Sequence, residues 1–94
     1  MERALKLAHA ASERGEVPVG AVLVDGTGKE LAADGNRVEQ YCDPVAHAEI
    51  LVLRAGAEKL GSPRLTGCDL YVTLEPCPMC AQAISFARVR RLYF

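Results

Sequence analysis

Residues 69–80 read Asp69-Leu70-Tyr71-Val72-Thr73-Leu74-Glu75-Pro76-Cys77-Pro78-Met79-Cys80. Leu70, Val72 and Leu74 alternate onto one face, as in a half-buried strand. Pro76 then opens a helix over residues 76–88, with Met79, Ala83, Ile84 and Ala87 expected to face a sheet. A strand that runs directly into a helix is the building unit of an α/β fold. Because the helix opens on C-x-x-C, two thiols are expected at the carboxyl end of a strand, where open α/β sheets bind ligands.

Upstream, Asp43-Pro44 places Asp at a cap and Pro at the first position of a second helix. Ala46, Ile50, Leu53, Ala57 and Leu60 form its apolar stripe, and Gly61-Ser62-Pro63 ends it. Lys29 to Asn36 reads as a strand, weakened by Gly35, and Asp25-Gly26-Thr27-Gly28 is a turn that makes it antiparallel to a strand over Val17 to Val24. That earlier strand is apolar on both faces, which predicts a central position. Residues 2 to 14 form a helix, with Leu5, Ala8, Ala11 and Ser12 at helical spacing and Gly15 as the stop. Val89 to Phe94 begins a further strand. The order α-β-β-α-β-α-β predicts a three-layer α/β/α sandwich with a mixed sheet: a hairpin, then two right-handed crossovers onto a parallel portion.

Ninety-four residues allow one domain, 1–94. Half the residues are hydrophobic and 24% are charged, with no repeat and no low-complexity run, as in ordinary globular chains. No segment is long enough to span a membrane, and the amphipathic start at Met1-Glu2-Arg3 shows no signal peptide. The expected compartment is the cytoplasm. A net charge of −1 is no strong footprint of nucleic-acid binding. Arg88, Arg90 and Arg91 cluster; the bland reading, taken by default, is a helix end complemented by cations, and a phosphate-contacting patch is the alternative. Four cysteines without a secretory signal argue for metal or free thiols over disulfides. Cys68 is expected to be buried.

His47-Ala48-Glu49 is the second motif. One His with Cys77 and Cys80 makes three zinc ligands and leaves a fourth position for water, which marks a catalytic site and not a closed structural one. A redox pair is the other reading of C-x-x-C, but it has no H-x-E partner. Cys42 would close the site as Cys3His if it reached the metal; its loop position favours a free thiol. His47 and Glu49, two apart, would point to nearly opposite sides of a regular helix. They can serve one site only if the metal is approached end-on at the helix N-terminus. Glu49 would then carry a proton from the water to a ring nitrogen beside the attacked carbon, and help an amine leave as ammonia.

H-x-E followed by P-C-x-x-C is the signature of zinc nucleobase deaminases. The resemblance runs through the whole chain: Gly15-Glu16-Val17-Pro18-Val19-Gly20-Ala21-Val22-Leu23-Val24, Asn36-Arg37, Asp43-Pro44-Val45-Ala46-His47-Ala48-Glu49-Ile50 and Leu70-Tyr71-Val72-Thr73-Leu74-Glu75-Pro76-Cys77. These stretches resemble the bacterial tRNA-specific adenosine deaminases, of cytidine deaminase-like fold, which convert wobble adenosine to inosine. The resemblance implies zinc on His47, Cys77 and Cys80, proton transfer by Glu49, and contacts to the base from Asn36 and from the backbone N–H of Ala48. It also implies tRNA, through its anticodon loop, as a partner, and a homodimer. Members of that family continue past the position of Phe94 with a further strand and C-terminal helices, so the resemblance implies a chain that lacks them. Deamination of a free base or nucleoside such as cytosine or guanine, and a non-catalytic zinc module, are the competing functions.

Overall fold

The computed structural model describes residues 1–94. Helix α1 (Glu2–Glu13) precedes a hairpin of β1 (Gly20–Val24) and β2 (Glu30–Gly35). A short helix α2 (Val38–Tyr41) and a long helix α3 (Ala48–Leu60) lead to β3 (Asp69–Val72), followed by α4 (Pro78–Phe86) and β4 (Arg91–Tyr93). The sheet order is β2-β1-β3-β4. β1 is antiparallel to both of its neighbours, and β3 and β4 are parallel. The expected mixed sheet with a central first strand is present.

Alternation along β1 separates the two faces. Ala21 and Leu23 join Leu70 and Val72 of β3, Val52 of α3 and Ile84 of α4 in the main core cluster. The opposite face at Gly20 belongs to α1. Gly20 pairs directly with Gly35 of β2. A Cβ on Gly20 would overlap the Ala4 carbonyl, and one on Gly35 would sit 2.8 Å from the Leu7 carbonyl oxygen. Two bare positions side by side let the α1 backbone lie directly on the sheet. For that reason α1 buries its small residues Ala4, Ala8 and Ala11, while Leu5 is turned outward and 54% exposed. Leu5, which shares the helical spacing of Ala8 and Ala11 in the sequence, thus does not share their burial.

Several boundaries differ from the sequence reading. β1 starts at Gly20 and not at Val17, because Val19 N–H closes a tight turn onto Val17 O at 2.8 Å and Pro18 has no N–H for a ladder. β3 stops at Val72. Thr73 Oγ1 accepts the Gly20 N–H at 3.1 Å in place of a strand carbonyl, and Leu74 is exposed. Helix α3 starts at Ala48, not at Asp43-Pro44. Asp43 Oδ1 accepts the Val45 N–H at 3.0 Å, and this local turn uses the Asp before a helix can form. The α3 stripe is accordingly rotated: Ala48, Glu49, Val52, Leu53 and Gly56 are buried and Leu60 is exposed. On α4, Cys80 and Ile84 are buried, whereas Met79, expected to face the sheet, is 37% exposed. No helix is long and apolar enough to cross a membrane.

Candidate metal centre and active site

His47 is the N-cap of α3 and Cys77 the N-cap of α4. Neither side chain caps its own helix. Both are in extended backbone conformation, with Pro78 fixing the first position of α4. The two helices thus offer their N-termini to the same point, and the ligand side chains are free to meet there. This is the end-on approach that the His47–Glu49 spacing requires. Ala48 is the first helical residue and Glu49 the second, so Glu49 lies within the same turn as the His47 cap.

His47 Nδ1 lies 3.4 Å from Cys80 Sγ and 3.7 Å from Cys77 Sγ. The three donor atoms all lie within 4.8 Å of one another. A tetrahedral zinc, with bonds of about 2.3 Å to sulfur and about 2.0 Å to nitrogen, holds N and S about 3.6 Å apart. The observed spacings bracket that value, so one nitrogen and two sulfurs fit a zinc ion with one position left open. His47, Cys77 and Cys80 are placed to bind a metal.

Charge at the cluster points the same way. Burial raises the Cys80 thiol above its ordinary range, and the Glu49 carboxylate and Cys77 push it further up. Glu49 is 4% exposed, and its Oε1 is a buried side-chain oxygen with no hydrogen-bond partner. A buried carboxylate with an unpartnered oxygen, beside the buried Cys80 thiol and the half-buried Cys77 thiol, is costly without a cation. Positive charge at the cluster offsets it, and two helix N-termini add to that potential. Cys42 stands apart. It ends α2 in a left-handed conformation (φ 50°), is exposed, and directs its thiol at the Glu39 carbonyl. The cluster of possible metal ligands is His47, Cys77 and Cys80, without Cys42. Cys68 is buried, as expected, and burial pushes its thiol up.

His47 and Cys77 of the cluster, with Glu49, line a pocket of about 440 Å³ that also takes in Asn36, Val17, Val19 and Leu74. Asn36 is 5% exposed, and its Oδ1 accepts the Ala48 N–H at 2.7 Å. Because only the amide oxygen can accept, the Asn36 NH2 group is the end left for another partner. The Ala48 N–H, expected from the resemblance to meet the base, is engaged by Asn36 in this structure.

Sequence reading did not single out Glu16. It is 7% exposed, and its two carboxylate oxygens accept the N–H groups of Glu39 and Gln40. Burial works to raise this carboxyl, but those two N–H groups and the Arg14 and Arg37 charges outweigh it and lower the pKa. Arg14 Nη2 also donates to Asn36 O at 3.0 Å. An acid directly after the Gly15 helix stop was the available signal. Of the Arg cluster, Arg90 is held bidentately by Asp69 at 3.0 and 2.8 Å, so it braces β4 against β3.

Residues 1–94 match the family described as the cytidine and deoxycytidylate deaminase zinc-binding region. The chain is 61% identical over its full length to a tRNA-specific adenosine deaminase of Agrobacterium fabrum, of which it covers 61%. A solved structure from a study of A-to-I editing by tRNA:A34 deaminases superposes with a TM-score of 0.96 at 61% identity, covering 99% of this chain and 67% of that one. A guanine deaminase structure from Bacillus subtilis gives a TM-score of 0.93 at 40% identity, covering 98% of this chain and 59% of that one. The chain thus spans a little over half to two thirds of the length of these relatives. With its zinc-ligand cluster, its buried Glu49 and its mixed sheet, the chain belongs to the cytidine and deoxycytidylate deaminase family.

Proposed function

We propose that this chain carries the zinc site of a hydrolytic deaminase acting on adenosine at the tRNA wobble position. The observation that carries the reading is the orphaned Glu49 Oε1, in a residue that lines the same pocket as His47 and Cys77 of the three-ligand cluster. Zinc held by His47, Cys77 and Cys80 supplies Lewis acidity that makes a water reactive near neutral pH. Glu49 Oε1 takes the proton from the attacking water and passes it to the ring nitrogen beside the attacked carbon. The carboxylate then takes the proton of the new C–OH group and gives it to the amine, which leaves as ammonia as the C–N bond breaks and the carbonyl forms, so Glu49 acts as base and then acid in each transfer. Asn36 offers its NH2 group to an acceptor on the base, while the Ala48 N–H fixes the amide by its oxygen. Ala48 therefore acts on the base through Asn36. Val17, Val19 and Leu74 supply the apolar part of the wall.

The tRNA substrate is supported by the names of the tRNA-specific relatives. It makes the anticodon loop the partner and the cytoplasm the compartment. A homodimer is part of the same reading, supported by an apolar groove between α3 and α4 that includes Ile50, Ala57 and the 74% exposed Phe86. The test is inosine formation in an anticodon stem-loop, run beside ammonia release from free guanine, cytosine and adenosine. Release from free bases alone would replace the tRNA reading by a free-base deaminase.

A further inference from the structure

We propose that Glu16 is a positioning residue that holds the Asn36–Gln40 wall of the pocket in the form that receives a base. The proposal rests on the deaminase reading above and extends it to a residue outside the metal cluster. Helix α2 has four residues and no side-chain cap of its own. A helix this short does not persist on its own hydrogen bonds. Its first-turn N–H groups lack partners within the helix. Glu16 supplies them from elsewhere: Oε1 accepts from Glu39 N at 3.0 Å and Oε2 from Gln40 N at 2.9 Å.

The clamp has a rigid base. Gly15 adopts φ 84° and ends α1, with Gly15 N–H bonded to Ser12 O and Glu16 N–H to Ala11 O, both at 3.0 Å. This left-handed helix end fixes where the Glu16 side chain leaves the backbone. Helix α1 in turn sits directly on Gly20 and Gly35 of the sheet. The other end of the wall is tied to the same place, since Arg14 Nη2 holds the Asn36 carbonyl at 3.0 Å and Val19 O accepts the Asn36 N–H at 3.1 Å. The two buried glutamates of the pocket therefore differ in kind. Both oxygens of Glu16 are bonded to backbone, which leaves it to shape the wall, whereas Glu49 keeps a free oxygen for chemistry.

The test compares wild type, Glu16→Ala, Glu16→Gln, Asn36→Ala and the Glu16→Ala/Asn36→Ala pair, all zinc-loaded, by steady-state kinetics on the anticodon stem-loop and on free bases, by zinc content and by amide hydrogen exchange. Glu16→Ala is expected to keep one zinc per chain and to speed exchange at residues 38–41 but not along α3. It should raise KM at least tenfold with kcat changed less than threefold. Glu16→Gln, which keeps one acceptor, should recover part of the KM loss, and adding Glu16→Ala to Asn36→Ala should cost less than threefold more. A fall in kcat at unchanged KM, loss of zinc, or fully multiplicative effects would overturn the proposal. If wild type deaminates none of these substrates, the deaminase reading fails on its own. The wall claim is then decided by exchange: faster exchange confined to residues 38–41 in Glu16→Ala upholds it, and unchanged exchange there overturns it.

Discussion

The Ala48 N–H donates to Asn36 Oδ1 at 2.7 Å, joining the first residue of α3 to the residue just after β2. The bond is buried and satisfies one of the N–H groups that α3 leaves open at its start. It also sets which end of the Asn36 amide faces the pocket. Asn36→Ala removes the acceptor and leaves a buried donor, at a cost of about 1–3 kcal/mol. Denaturant unfolding of the zinc-loaded protein should show that loss, with zinc content unchanged. No loss would mean that the bond adds nothing to stability.

Gly20→Ala puts a methyl group into the α1 backbone at Ala4, where no side chain can move aside. Overpacking usually costs about 1–3 kcal/mol, and contact with backbone places this case at the upper end or beyond. The midpoint of denaturation should fall markedly. A midpoint equal to that of wild type would show that α1 does not lie on the Gly20–Gly35 pair as described.

Asp69 has a lowered pKa, chiefly from its hydrogen bonds to Arg90, against the smaller opposing effect of burial. A carboxylate with a folded pKa below its unfolded value, about 3.9, stabilises the fold above that value. The contribution is lost as pH falls through the folded pKa. The stability difference between wild type and Asp69→Asn should be constant from pH 5 to 7 and shrink below about pH 4. A difference that grows on acidification would contradict the assignment.

The four cysteines should separate by thiol reactivity. Cys42 is exposed and outside the cluster, so it should react with a thiol reagent whether or not metal is bound. Cys77 and Cys80 should gain reactivity only after chelation, and Cys68 should stay protected until unfolding. Cys42→Ala should keep full zinc content, and zinc loss in that variant would make the site closed and structural.

Much of this centre was readable because chemistry and helix starts coincide in the sequence. His47, Cys77 and Cys80 carried their own meaning, while Pro76 placed one helix start two residues ahead of Pro78, where α4 begins with Cys77 as its cap. Asp43-Pro44 misplaced the other start by a few residues, since the Asp43 side chain closes a local turn first. Helix α2 was not legible, because its four residues owe their form to Glu16, more than twenty positions away. Leu5 and Leu60 misled for a related reason: apolar periodicity shows which side chains share a face but not which face meets the sheet. On α1 the glycine pair selects the face with small residues, and on α3 the bare Gly56 is the position that meets Leu23 of β1.

The most direct measurement is Glu49→Gln, assayed for bound zinc and for inosine formation in an anticodon stem-loop. General acid–base catalysis contributes about 10²–10⁴-fold, so activity should fall by at least about a hundredfold. Zinc should remain at one per chain, because the ligands are His47, Cys77 and Cys80. Full activity in Glu49→Gln, or loss of its zinc, would contradict the roles assigned to the site.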